Sequence, residues 1–181
     1  MSDSYILAID QGTSSTKSII FNASGEAIFK ASEALHTHYL EGNRDEQEPE
    51  VIYQNVLVTV KKCLDGFKSG GGNIGMIKAC GISNQRETFV LWNKTGRPLY
   101  NAVVWQCKRS VEICDRLHNE GLESKINQRT GLIIDPYFSG TKVIWLYENE
   151  PEIKKAIDRG EAYFGTIDTW LLYKLTRGHA Y

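Results

Sequence analysis

The chain has 181 residues, 41% of them hydrophobic and 24% charged, an ordinary globular composition with apolar material enough for one sizeable core. Lys and Arg number 21 against 22 Asp and Glu, and a net charge of -1 gives no electrostatic footprint for nucleic acid or an anionic membrane surface. A single domain whose partner is a small molecule or another protein is expected.

In chain order, residues 5–9, 18–21 and 26–32 read as strands, with Asn22-Ala-Ser-Gly25 as a hairpin turn. The run Tyr5-Ile-Leu-Ala-Ile9 is cut off by Asp10, too short for a secretory signal or a bilayer span, so the cytoplasm is the expected location. A polar segment, Glu41 to Glu48, follows, and Pro49 then opens a helix on which Ile52, Val56, Val60, Cys63 and Phe67 share one face. Residues 76–82 and 88–92 are further strands, the second closed by the turn Asn93 to Pro98, and residues 102–105 another. Helices are expected over residues 109–118 and 139–147, with a helical pattern over 115–131 broken by Gly121. Pro151 heads one more over 150–158, and a short strand, 162–165, precedes a last helix, 167–175. Strands first and then strand-helix alternation give an α/β class with a mixed sheet flanked by helices.

The four cysteines, Cys63, Cys80, Cys107 and Cys114, form no C-x-x-C pair and have no His at zinc-finger spacing, so free and mostly buried thiols are expected. His36 and His38 form an H-x-H on a possible strand, where a zinc site would need a third ligand. Gly70-Gly-Gly-Asn-Ile-Gly75 fits the dinucleotide fingerprint G-x-G-x-x-G in form only, because it follows a helix and opens a strand, the reverse of what that motif requires. No Walker loop is present.

Three other segments can carry chemistry. Asp10-Gln-Gly-Thr-Ser-Ser-Thr-Lys17 lies between two hairpin strands, where a glycine and a run of hydroxyls suit either a phosphate or a plain β-turn. On the phosphate reading Asp10 holds Mg²⁺ through water, Gly12, Thr13, Ser14 and Ser15 cradle the β- and γ-phosphates, and Lys17 adds charge. Ser83-Asn-Gln-Arg-Glu87 is a polar run between two apolar strands, an odd way to continue a buried strand. In it Arg86 offers donors and Glu87 acceptors, the complement a polyol needs, provided that the strand ends or bulges so that both face one ligand; a surface ion pair is the alternative. The third comprises Trp105, either a core aromatic or a ligand contact, and the Asp135-Pro136 turn signal, which would lift Tyr137 onto a loop, with Phe138 expected in the core.

Taken in order, Asp10-Gln-Gly-Thr13, Asn84-Gln-Arg-Glu-Thr88, Asn101-Ala-Val-Val-Trp-Gln106, Asp135-Pro-Tyr-Phe-Ser-Gly-Thr-Lys142 and Phe164-Gly-Thr-Ile-Asp-Thr-Trp-Leu171 resemble the FGGY carbohydrate kinases, and within them the branch that phosphorylates glycerol. The resemblance implies a ribonuclease H-like (actin-like ATPase) domain, residues 1–181, incomplete relative to the two-domain kinase, with ATP and Mg²⁺ as cofactors. It implies that the nucleotide hairpin is Asp10 to Lys17 and that glycerol meets Arg86, Glu87, Trp105 and Tyr137, with Thr13 at both substrates. It further implies that the catalytic base lies beyond Tyr181, that glycerol and a carboxy-terminal domain are the partners, and that the full enzyme is a homo-oligomer. Pentulose kinases carry a different string at Gln85-Arg-Glu-Thr88, which points to glycerol over a ketose. Lys17 stands where the family often has Arg, keeping the charge and losing the bidentate fork.

Overall fold

The computed structural model describes residues 4–180, which divide into two compact units. The first holds the chain up to Thr37 and Glu48–Gln85, the second His38–Gln47 and the chain from Arg86 onward. Each has its own core, where the length alone suggests one.

In the first unit β1 (Tyr5–Gln11), β2 (Ser15–Asn22) and β3 (Ala27–Ala34) form an antiparallel meander. Alternation buries Leu7 and Ile9 on β1 and Ser18 and Ile20 on β2, while Ile6 and Asp10 point the other way. The β2–β3 turn closes as expected, with the Asn22 carbonyl accepting from the Gly25 N–H and Gly25 at φ +81°, where an L side chain is strained. Helix α1 (Pro49–Ser69) buries Ile52, Val56, Cys63 and Phe67 as its periodicity predicts. Thr59 rather than Val60 is the fully buried residue of the middle turn, and its hydroxyl lies 2.8 Å from that of Ser18. Gly66 is needed here, since a Cβ would come within 2.7 Å of the Phe29 ring. The glycine-rich loop caps α1 and leads, through a 3₁₀ turn at Ile74–Met76, to β6 (Ile77–Asn84), which pairs parallel to β1. The mixed sheet thus runs β3-β2-β1-β6, over a core of Leu7, Ile20, Cys63 and Phe67.

The second unit contains a separate sheet of five antiparallel strands in the order β4-β5-β8-β7-β9, of which the last three are expected from the sequence. The possible strand at His38 forms as β4 (His38–Leu40), and the segment read as polar, Glu41 to Glu48, contains β5 (Arg44–Gln47); they join β7 (Phe89–Trp92), β8 (Ala102–Val103) and β9 (Tyr163–Thr166). His38 begins β4 while His36 precedes it, so the pair does not share a strand face. Helices α2 (Val111–Asn119) and α3 (Glu123–Thr130) are parted at Gly121, α4 (Ser139–Asn149) and α5 (Pro151–Asp158) follow, and α6 (Ile167–Leu175) closes the chain. Phe89, Leu91, Val103, Cys107, Leu146 and Ile153 form one cluster of its core. All four cysteines are free thiols, and three are buried. Among the described residues no helix is long and apolar enough to cross a membrane.

What draws so polar a strand as β5 inside is an ion pair. Glu46 Oε1 lies 2.6 Å from Arg109 Nη2, both side chains almost fully buried, and Asn101 donates to the other oxygen at 2.9 Å. Burial alone would raise the Glu46 carboxyl, but the hydrogen bonds from Asn101 and Arg109 and the Arg109 charge hold it below the ordinary carboxylate range. Glu46→Ala, which strands a buried guanidinium, is expected to cost about 3–5 kcal/mol in urea unfolding, against about 1 kcal/mol or less for the exposed pair partner Glu152→Ala.

Candidate active site

The phosphate-hairpin candidate is a tight turn in the first unit. Pairing of Asp10 with Lys17 and of Gln11 with Thr16 carries both strands to the tip, and the Gly12 N–H closes the turn on the Ser15 carbonyl at 2.9 Å. That amide is spent inside the turn, so Gly12 supplies shape, leaving Thr13 and Ser14 at the tip. Ser14 is exposed, and its carbonyl accepts from the Leu35 N–H at 2.9 Å, tying the tip to the end of β3. Asp10 and Lys17 face the same side 3.8 Å apart, their side chains 51% and 41% exposed, as a carboxylate and a cation available to a ligand must be. Below the tip, Gln11 and Gln85 are buried and bonded to each other: the Gln85 N–H donates to the Gln11 carbonyl at 3.0 Å and the side-chain amides meet at 3.1 Å.

The polyol candidates lie in the second unit. The strand does end, at Asn84, and Arg86 and Glu87 form a turn before β7. Arg86 is exposed, whereas Glu87 is half-buried and already engaged. Its carboxylate accepts from the Ser139 N–H at 3.1 Å and the Ser139 hydroxyl at 2.8 Å, and so caps the amino end of α4, whose own N-cap residue, Phe138, supplies no side-chain bond. Trp105 sits in a turn directly after β8, its N–H bonded to the buried Thr88 hydroxyl at 3.0 Å. The Asp135-Pro136 turn forms as expected: Asp135 Oδ1 accepts from the Tyr137 N–H at 2.6 Å, and Tyr137 is 38% exposed. The Trp105 and Tyr137 rings meet edge to face, centroids 5.8 Å apart, beside a cavity of about 170 Å³ that Gln106, Lys108 and Asp135 also line. That is smaller than the pockets that hold drug-sized ligands and suits a small molecule.

Lys142 was not among the expected site residues. One turn into α4, it is fully buried, and its ammonium donates to the carbonyls of Trp105 and Tyr137, both at 2.9 Å, and of Val104 at 3.3 Å. A lysine aligned with the buried Leu146 on an amphipathic helix is the sequence signal that could have found it. Burial pushes its pKa down to about 8, with the Arg109 charge acting in the same direction, against the favourable charges of Glu87 and Asp135. It is therefore an ammonium at neutral pH. A lysine depressed in the folded state costs stability wherever both states are charged, and the cost is relieved as pH rises from about 8 to 10.5. The unfolding free energy of the wild type minus that of Lys142→Met should rise across that window, by about 3 kcal/mol in all, when followed by denaturant melts.

Residues 5–181 match the family described as "FGGY family of carbohydrate kinases, N-terminal domain". The chain is 45% identical over 175 residues to glycerol kinase from Ralstonia nicotianae, covering 96% of this chain and 34% of that protein. Its identity to the glycerol kinase of Halothermothrix orenii is also 45%, over 98% of this chain and 35% of that one. Among solved structures, Plasmodium falciparum glycerol kinase with ADP superposes with a TM-score of 0.93 at 35% identity, over 98% of this chain and 35% of that one. The chain thus spans about a third of the length of these relatives. The fold is that of the actin-like ATPases, and with a match that runs from the first strand past the last helix, the chain belongs to the FGGY family of carbohydrate kinases.

Proposed function

We propose that this chain is the amino-terminal domain of a cytoplasmic kinase that transfers the γ-phosphoryl group of ATP to glycerol. The observation that carries this reading is the grouping at the amino end of α4. There an acceptor carboxylate, Glu87, and two aromatic faces, Trp105 and Tyr137, are held by neighbouring residues of one helix turn. It occurs in a chain 45% identical to glycerol kinases. A polyol hydroxyl both donates and accepts, so Glu87 accepts a hydrogen bond from it and the Arg86 guanidinium donates to its oxygen, while the rings cover the C–H faces and exclude water. The hydroxyls of Thr13 and Ser14 and the Lys17 ammonium meet the phosphates. The oxygens of Asp10 are hard ligands of the kind Mg²⁺ prefers, and a single carboxylate suits an ion that keeps its waters and shares phosphate oxygens. Mg²⁺, when bound, neutralises charge on the β- and γ-phosphates.

In-line transfer needs a base and a second wall around both substrates, and we assign these to the remaining two-thirds of a kinase of the relatives' length. The 181 residues by themselves are therefore expected to give no steady ADP release with glycerol and ATP in a coupled assay. In the complete kinase, Arg86→Ala and Glu87→Gln should each weaken glycerol binding by about 1–3 kcal/mol, read as a rise in KM. Glu87→Gln keeps one oxygen for Ser139, so the loss falls on the ligand side, and the melting temperature should move little. Unchanged KM and kcat in both variants would remove glycerol from this site, and a panel of polyols and sugars would name the substrate instead.

A further inference from the structure

Three of the four residues assigned to the polyol in the second unit are tied to two residues of α4, beyond the bonds that Trp105 makes to Thr88 and Tyr137 to Asp135. Glu87 is fixed by Ser139, and the Trp105 and Tyr137 segments by Lys142, one turn further on. The Trp105 segment follows β8 and the Tyr137 segment follows the loop after α3, some thirty residues apart in the chain, and the rings they carry border one cavity. The Lys142 ammonium is the group that bonds to both.

From this we infer that Lys142 is a positioning residue. It touches neither substrate, and its three N–H groups set the distance between the Trp105 and Tyr137 rings and hence the width of the polyol site. An ammonium suits this task because its three donors converge on three carbonyl oxygens. At a fully buried position each unmade bond is costly, so the three acceptors are locked as a set. Methionine, of similar length, fills the space without donors and releases the two segments from each other. The inference rests on the polyol reading of the site, and it bears on the substrate whose contacts Lys142 ties. The nucleotide hairpin has its own closing bonds, Gly12 to Ser15 and Leu35 to Ser14.

The test compares wild type, Lys142→Met and Ile153→Ala in the complete kinase. Ile153 is buried in the same unit's core on α5 and serves as a control for loss of stability without loss of the tether. With Lys142→Met, glycerol KM should rise about tenfold or more while ATP KM stays within about twofold. Acrylamide quenching of Trp105 emission, taken as the difference from the matching Trp105→Phe protein, should increase. Ile153→Ala should lower the melting temperature and leave both KM values and the quenching where they were. Unchanged glycerol KM and quenching in folded Lys142→Met would overturn the inference, as would a rise in both KM values matched by Ile153→Ala. If Lys142→Met does not fold, Lys142→Arg, whose planar fork cannot converge on three carbonyls, carries the same two readouts. A wild type that does not phosphorylate glycerol defeats the substrate reading alone, because the quenching difference reports the tether without turnover.

Discussion

Burying an ammonium ion is costly enough that proteins do it only where every donor is met, and Lys142 shows what such a group can organise. A carbonyl in a turn has no obligatory partner in regular structure, and the turns at Trp105 and Tyr137 each leave one facing the interior. One cation answers both, together with Val104, and converts two independent loops into a single wall. Ser139, at the start of the same helix, takes up the Glu87 carboxylate, which also meets the orphan amides that begin α4. The geometry of the second unit's candidate site is in this sense a property of one helix turn, and the residues assigned to ligand contact inherit it.

The Glu46–Arg109 pair plays the corresponding part for the sheet beneath. The Arg109 guanidinium lies over the rings of Tyr100 and Trp145, 5.7 and 4.9 Å from their centroids, and Tyr100, pushed up to about 12 by burial, keeps its proton. This network holds β5, a strand with no apolar residue, beside β8. It also explains why residues 38–47 leave the first unit, add two strands to the second, and return as α1. A polar strand is stable in an interior only when its charges find named partners, and these partners lie more than fifty residues further along the chain.

That separation marks the boundary of what the sequence discloses. Helix α1, the helix after β9 and the three-strand meander are legible because their apolar residues recur at local periods and their turns use Asn, Gly and Pro, all of it information within a few residues. The Asp135-Pro136 turn and the exposure of Tyr137 are legible for the same reason. Strand β5 is not, because its burial is justified by Asn101 and Arg109, and no local pattern points there; β4, exposed along its length, joins the sheet by pairing with β5. Lys142 is intermediate: its place on the buried face of α4 can be read from spacing, but the carbonyls it serves cannot.

The polar run Ser83 to Glu87 shows how a correct inference from composition can group residues that the fold separates. Five polar residues in a row argue against a continuous buried strand, and the strand does stop. Ser83 and Asn84, however, are still in β6, paired with Asp10 and Gln11, and their polarity suits a sheet edge next to the hairpin tip. Gln85 is buried and spends both its backbone N–H and its side-chain amide on Gln11, so it braces the hairpin strand. Arg86 is exposed, and Glu87 answers to α4. The run therefore holds two kinds of residue, three that finish the sheet carrying the phosphate-hairpin candidate and two that begin the polyol candidate, and the boundary between the compact units falls between Gln85 and Arg86. Group transfer depends on how donor and acceptor are positioned, and the two candidate sites have a supporting unit each. In this chain a single peptide bond joins the brace of one candidate support to the first residue of the other.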